Sequence, residues 1–407
     1  MRKLLDAILS RLVRRGRLAV RYPDGGVRVY GSEPGPEAGF ALRSAAAVRG
    51  LALNPGLAFG ECYMDGSLVP EGCGIHEVLA LLFLNMEDAS HPMGALVERA
   101  RGLGRRVAQF NPAGRSRRNV AHHYDLNGAL YSLFLDEDRQ YSCAYFERGG
   151  ETLEEAQRAK KRHIARKLLL RPGMEVLDIG CGWGGMAITL AREHGVRVTG
   201  ITLSEEQLGV ARARAEAAGL SGQVRFELAD YRGVDRVFDR VVSVGMFEHV
   251  GVGHHATFFE VVRRCLADDG VALVHAIGRS DGPGGTNAWL AKYIFPGGYS
   301  PALSEVFGAV ERSGLYATDC EILRLHYAET LRHWRTRFAA HRAKVAALYD
   351  ERFCRMFEFY LSACELTFRH HGHMVFQVQL ARREGVVPMT RGYMADAVAV
   401  RELQAAD

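Results

Sequence analysis

From about residue 170 the chain alternates short apolar runs with helical patterns, and few folds accept that alternation. EVLDIG, VRVTGIT, VRFELAD, FDRVVSVGMFE and VALVHAIGR read as strands. GGMAITLAREH, SEEQLGVARARAEAAG and HHATFFEVVRRCLADDG read as the helices between them, and Ser204 with Gln207 three residues on forms a capping box. Strands that are apolar along their whole length are buried on both faces, so repeated strand–helix units of this kind predict a doubly wound, mostly parallel sheet. A helical region follows from about 327 to 372, and MVFQVQLARRE closes as a strand.

At 407 residues the chain exceeds one ordinary core. Residues 18–75 are rich in Gly and Pro with short alternating pieces such as GGVRVYG, and IHEVLALLFLNM reads as a buried helix; this is a small mixed α/β domain. Residues 95–119 carry seven arginines against one acid, with Asn111, Pro112 and Gly114 as loop signals. The expected division is a lipid- or membrane-binding domain at 1–110, a linker at 111–120 and a catalytic domain at 121–407.

The eight cysteines show no paired spacing and read as reduced thiols of a cytosolic chain. A net charge of +5 is too weak to propose nucleic acid, but six basic residues crowd MRKLLDAILSRLVRRGR. Leu4, Leu5, Ile8, Leu9 and Leu12 recur there at helical spacing, which suits either a helix packed on its own domain or one lying on an anionic membrane. No apolar stretch reaches the roughly 18 residues that span a bilayer.

VLDIGCGWGGMA places Gly180, Gly182 and Gly184 after a strand and at the mouth of a helix, where glycine lets the backbone approach a ligand. Counting to Gly185, a dinucleotide fingerprint is formally allowed. Asp178, two residues before the first glycine, and Asp230 in LADYR instead resemble the donor site of S-adenosylmethionine-dependent methyltransferases. The second strand ends in ITLSEEQ rather than in an acid, so Thr202, Ser204 and Gln207 take the ribose position.

HHYDLNGALYSLFLDEDRQYSCAYF (122–146), VLDIGCGWGG, ITLSEEQ, DYR, SVGMFEHVG (243–251) and KYIFPGG (292–298) together resemble the cyclopropane-fatty-acyl-phospholipid synthases, a family that includes the mycolic acid cyclopropane synthases. GLAFGECYMDG (56–66) extends the likeness into the first domain and favours the longer, phospholipid-acting members. The resemblance implies a class I methyltransferase fold, Rossmann-like with a mostly parallel seven-stranded sheet, plus a smaller mixed α/β N-terminal domain. It also implies methyl transfer from S-adenosylmethionine to a cis double bond, with ring closure after a proton is lost to a bound bicarbonate.

Carried over residue by residue, the bicarbonate holders are Cys143, Glu248, His275, the Ile277 backbone and Tyr327. The donor site is Tyr141, Ser142, Asp178, Gly180, Cys181, Gly182, Thr202, Leu203, Ser204, Gln207, Asp230 and Tyr231. Cys364 matches a cysteine sometimes assigned as the active residue of the family, although its own apolar helical pattern reads as a core thiol. His249 is open between a structural role and a donor contact; Trp289, Tyr293 and Phe295 are open between acyl-channel lining and packing.

Neither His122, His123 and Asp125 nor His370, His371 and His373 has a catalytic zinc spacing, so no metal is expected. The partners implied are an unsaturated phospholipid, the inner face of a membrane held peripherally from the cytoplasm, and a second copy in a homodimer. Three other readings are weighed against this one. A lipid C-methyltransferase of the same family would need no bicarbonate cage, a lipid-binding protein with a dead methyltransferase fold would not keep Asp178, Gly180, Gly182 and Glu248, and a small-molecule N-methyltransferase would not need lipid vesicles.

Overall fold

The computed structural model describes residues 1–87 and 128–395. The expected linker at 111–120, and His122, His123 and Asp125, lie outside them. The chain divides into two compact units. One is formed by the described part of Met1–Arg105 with Gly284–Pro296 and Tyr327–His373; the other by that of Arg106–Pro283, Gly297–His326 and Met374–Asp407. The sequence reading assigns everything after 120 to one catalytic domain, whereas the contacts place two later segments with the first unit.

The first unit carries a sheet of β1 (Arg15–Arg21), β2 (Val27–Tyr30), β3 (Glu33–Leu42) and β4 (Leu68–Pro70) in the order β2-β1-β3-β4. The N-terminal helix Arg2–Leu12 buries Leu5, Asp6 and Leu9. Leu5 and Leu9 of its apolar stripe therefore pack on its own unit, while Leu4 stays exposed. Asp6 is stabilised there by the hydroxyls of Tyr22, at 2.6 Å, and Tyr30, at 2.5 Å.

The late segments join this unit through aromatic packing. The helix Glu351–His370 buries Phe357, Phe359, Tyr360, Leu361, Leu366 and Phe368, and packs on the helices Pro55–Asp65 and Ile75–Glu87. Trp289 stacks edge-on to Phe359 with centroids 4.6 Å apart, directly over Gly60, where a Cβ would meet the indole at 2.4 Å. Phe295 meets Tyr360 at 5.6 Å, and Tyr293 donates to Glu61 at 2.8 Å. For Trp289, Tyr293 and Phe295 the structure thus provides packing partners within the unit.

The second unit is built on seven strands: β5 (Glu175–Ile179), β6 (Arg197–Thr202), β7 (Val224–Leu228), β8 (Phe238–Val244), β9 (Leu266–Arg279), β10 (Tyr316–Ile322) and β11 (His373–Ala381). Their order is β10-β11-β9-β8-β5-β6-β7, parallel from β9 through β7, with β10 antiparallel to β11. Two apolar clusters cover the two faces. One contains Leu177, Ile179, Val274, Ala276, Phe376 and Val378, the other Val176, Val242, Leu273 and Ile164.

A helix that the sequence reading does not single out, Leu153–Lys167, lies on the second face. Its pattern LEEAQRAKKRHIARK reads as a solvated basic surface, yet Gln157, Lys160, Lys161, His163 and Lys167 are all buried. Alternation along the strands explains why this is tolerated. Asp178 on β5, His275 on β9 and Gln377 and Gln379 on β11 fall on the face opposite their apolar neighbours and are themselves buried. The helix and the sheet thus share a polar layer in which each side supplies the other's partners.

Candidate active site at the carboxyl ends of the strands

At the carboxyl ends of β5, β6 and β8 a cavity is lined by Tyr141, Ser142, Asp178, Gly180, Cys181, Gly182, Thr202, Leu203, Gln207, Asp230 and Tyr231. It is the crevice in which doubly wound sheets bind ligands. Gly180 has φ +83, and a Cβ there would meet Met246 at 2.8 Å, so the turn after β5 requires glycine. At Gly185 a Cβ would strike Asp138 and Gln140 at 2.4 Å, which is how the 136–142 loop docks onto the helix start. Arg139 in that loop also lines the cavity and holds φ +54, a conformation that non-glycine residues adopt rarely.

The buried helix holds that loop. Gln157 donates to the Ser142 carbonyl at 2.9 Å and to the Gln140 carbonyl at 3.3 Å. Lys160 donates to the Gln140 side-chain oxygen at 2.7 Å and to Ser142 Oγ at 2.8 Å. Burial pushes the Lys160 ammonium down to about 8, against the pull of Asp136. Asp138 accepts from Lys161 at 2.5 Å and pairs with Arg214.

Asp178 is the outstanding group. It is buried, Oδ2 has no hydrogen-bond partner among the described residues, and desolvation raises its pKa to about 7 despite the Lys160 charge. An unpartnered buried polar atom costs roughly 1–3 kcal/mol, a cost that a bound cation or hydroxyl would offset. The residues therefore fit a ligand that presents an ammonium and hydroxyls.

The reading at β6 is refined. Ser204 does cap its helix, accepting from the Gln207 N–H at 3.2 Å, but Gln207 does not complete the capping box. Its Oε1 accepts instead from Thr202 Oγ1 at 2.9 Å, and the Ser204 N–H turns to that same hydroxyl at 3.2 Å. Thr202 and Gln207 thus reach the cavity as a linked pair while Ser204 is not among its lining residues. Asp230 forms a two-point ion pair with Arg232, at 2.9 and 2.6 Å, so its carboxylate is already engaged. Tyr231 lies edge-on to Phe258 at 5.4 Å.

β8 stops at Val244, four residues before Glu248, which sits in the turn Phe247–His249. Glu248 Oε1 accepts from the Ile277 N–H at 2.6 Å, so that N–H grips the carboxyl rather than standing open to an anion. Oε2 is buried without a partner among the described residues. Burial raises the Glu248 pKa to about 7 in spite of the Ile277 bond. Such a carboxyl can accept from an O–H or, protonated, donate to an anion.

His275 pairs with Val244 across β8 and β9, and its carbonyl accepts from the Gly245 N–H at 2.9 Å. Burial, with the Lys160 and Lys167 charges behind it, holds its imidazole well below the ordinary range. Cys143 is buried, its Sγ 3.2 Å from the Ala144 carbonyl, on the loop whose Ser142 would lie 3.6 Å from a Cβ on Gly245. The structure therefore brings Cys143, Glu248, His275 and Ile277 to neighbouring loops and strand ends. Tyr327 and Cys364 belong to the first unit, where Tyr327 stacks edge-on to Trp334 and Phe368 and burial pushes the Cys364 thiol up to about 12.

Sequence reading missed several lining residues, among them Arg139, Gln140, Trp183, Met246 and, as an assigned contact, His249. His249 lines the cavity, and burial lowers its pKa to about 4. The signal for Trp183 was its place inside the glycine loop, where its ring meets Tyr131 at 4.9 Å.

A mostly parallel seven-stranded sheet with this glycine loop at its carboxyl edge defines a class I S-adenosylmethionine-dependent methyltransferase. The chain belongs to the family described as mycolic acid cyclopropane synthetase, which matches residues 112–378. Residues 4–92 match a domain of unknown function, DUF7884.

The chain is 44% identical over 260 residues to the cyclopropane-fatty-acyl-phospholipid synthase of Escherichia coli K12, covering 64% of this chain and 66% of that one. It is 42% identical over 257 residues to a probable fatty acid methyltransferase of Pseudomonas putida, covering 61% of this chain and 65% of that one. These matches span just under two thirds of either relative. Tuberculostearic acid methyltransferase UfaA1 of Mycobacterium tuberculosis is 35% identical over 400 residues, covering 92% of this chain and 91% of that one. Among solved structures, the cyclopropane synthase MmaA2 of Mycobacterium tuberculosis aligns with a TM-score of 0.63 at 35% identity, over 67% of this chain and 99% of that one.

Proposed function

We propose that the protein is a cyclopropane fatty acid synthase acting on the cis double bond of an unsaturated acyl chain in an intact phospholipid. The observation that carries this reading is Glu248, a buried carboxyl fixed by the Ile277 N–H with its second oxygen unpartnered among the described residues. Ring closure requires the methylated cation to lose a proton, which an anion held beside the donor cavity can take, whereas a methyl-branched product would require a hydride instead. When bound, S-adenosylmethionine supplies an electrophilic methyl group and bicarbonate supplies the base for the proton lost on ring closure.

The chain's own residues do the rest. Asp178 and the Thr202–Gln207 pair hold the donor's polar groups, and the glycine loop brings backbone close to it. Glu248, His275 and Cys143 hold the anion. Keeping the reacting carbon near the sulfonium is the main catalytic demand, because an alkene is a weak nucleophile.

The basic residues of the first 17 positions support a peripheral association with the inner face of a membrane, the Escherichia coli relative supports phospholipid as substrate, and family likeness supports a homodimer. No helix among the described residues is long and apolar enough to cross a membrane.

A second reading, methylation without ring closure, is favoured by the near full-length likeness to a protein named tuberculostearic acid methyltransferase. Mass spectrometry of membrane lipids after expression in a host lacking such activity separates the two. A gain of one CH2 in a chain that resists both hydrogenation and ozonolysis supports the ring. A methyl-branched or methylene chain supports the second reading, and unchanged lipids refute both.

A further inference from the structure

The polar layer beneath the sheet has a direction. Lys167 Nζ lies 2.9 Å from Gln377 Oε1, and Gln377 Nε2 lies 3.1 Å from His275 Nδ1. An ammonium only donates, so the oxygen end of the Gln377 amide must face Lys167. That leaves the NH2 end toward His275, and an NH2 also only donates. His275 Nδ1 must therefore accept, which places the ring proton on Nε2.

Lys167 is itself fixed from two sides. It pairs with Glu321 on β10, and its carbonyl accepts from Gln379 Nε2 at 2.6 Å. Glu321 is further held by His163 Nε2 at 2.6 Å, and burial's tendency to raise its pKa is outweighed by His163 and Lys167, leaving it at about 2. Lys167 and Gln377 are fully buried. Turning the amide over would set its NH2 against the ammonium in a medium where such a mismatch is costly.

We propose that Lys167 and Gln377 are positioning residues that lock His275 as an Nε2–H donor, able to hold an anion but unable to take a proton from the substrate. The proposal rests on the reading of His275 as an anion holder and adds how that role is enforced. It also removes the obvious alternative base: Nδ1 is covered by the Gln377 NH2, and Nε2 already carries its proton. The titratable groups acting on His275 are Lys160, Lys167, His163 and Glu321; burial first, then the two lysine ammoniums, keep it neutral against the single carboxylate.

The test is the tautomer, read by nitrogen NMR on the full chain labelled in its histidine rings, with His275→Gln identifying the resonance. Wild type is expected as the Nε2–H form throughout the neutral range. Gln377→Glu keeps the shape and the Lys167 contact but offers only acceptors, so the proton should move to Nδ1 and kcat should fall by roughly 10–100-fold, as for other supporting partners, with the KM for the donor unchanged.

A wild-type His275 found as Nδ1–H or as imidazolium overturns the proposal without any variant being needed. So does a Gln377→Glu protein whose tautomer is unchanged, or one whose tautomer moves with kcat intact. A wild type that shows the Nε2–H form but never alters unsaturated phospholipid vesicles would sink the proposed function and leave the lock standing.

Discussion

Lys160 Nζ lies 2.8 Å from Ser142 Oγ, with both side chains buried. A buried ammonium is costly unless its hydrogen bonds do something specific. Here it occupies the acceptor side of the Ser142 hydroxyl and leaves the O–H to donate toward the donor cavity. Lys160→Met should therefore weaken S-adenosylmethionine binding by roughly 10-fold or more, since a hydrogen bond to a charged group contributes about 1.5–3 kcal/mol. Calorimetry measures this directly, and unaltered affinity would show that the ammonium only fills space.

Asp178 predicts a proton linkage. Its pKa is about 7 in the ligand-free protein, and a cationic ligand favours the ionised form, so the bound value is lower. Between the two values binding expels a proton: affinity should fall as pH drops below about 7 and level off above it. Binding heats at neutral pH should then vary with the ionisation enthalpy of the buffer, and Asp178→Asn should remove that variation. Heats independent of buffer in the wild type would contradict the assignment.

Glu248→Gln keeps an oxygen for the Ile277 N–H and so should fold normally and bind the donor as before. Turnover should drop by about 100-fold or more, the scale expected when a proton-transfer arrangement is lost. An unchanged rate would remove Glu248 from the anion site.

Depleting dissolved carbonate should slow the wild type, and adding bicarbonate back should restore it. Full activity in carbonate-free buffer would exclude bicarbonate as the proton acceptor.

Cys364→Ser should leave turnover within about 2-fold of wild type, because a thiol raised to about 12 supplies almost no thiolate at neutral pH. Loss of activity with an unchanged melting temperature would restore the case for a direct role.

Much of the cavity at the strand ends was legible because its lining is written locally. The turn at Gly180 and the close approach at Gly185 need glycine, and Asp178 stands two residues earlier at the end of its strand. Glu248 was legible as an abrupt polar stop to an apolar run, but its engagement with Ile277 was not. The N-terminal helix showed its apolar stripe without showing what covered it. The second-unit helix Leu153–Lys167 escaped because five polar side chains facing inward look, in one dimension, like a solvated face.

The sequence by itself determined the order of strands and helices and the glycine turns at the donor cavity, since these depend on neighbours a few residues apart. Tertiary structure alone decided which charged residues are interior. Lys167 finds Glu321 across 154 residues and Gln377 across 210, Lys160 finds Gln140 across 20 and Ser142 across 18, and encounters of this kind make burial of an ammonium tolerable. The chemistry assigned to His275 depends on them, because a ring nitrogen takes its proton according to the partner that the fold presents to it.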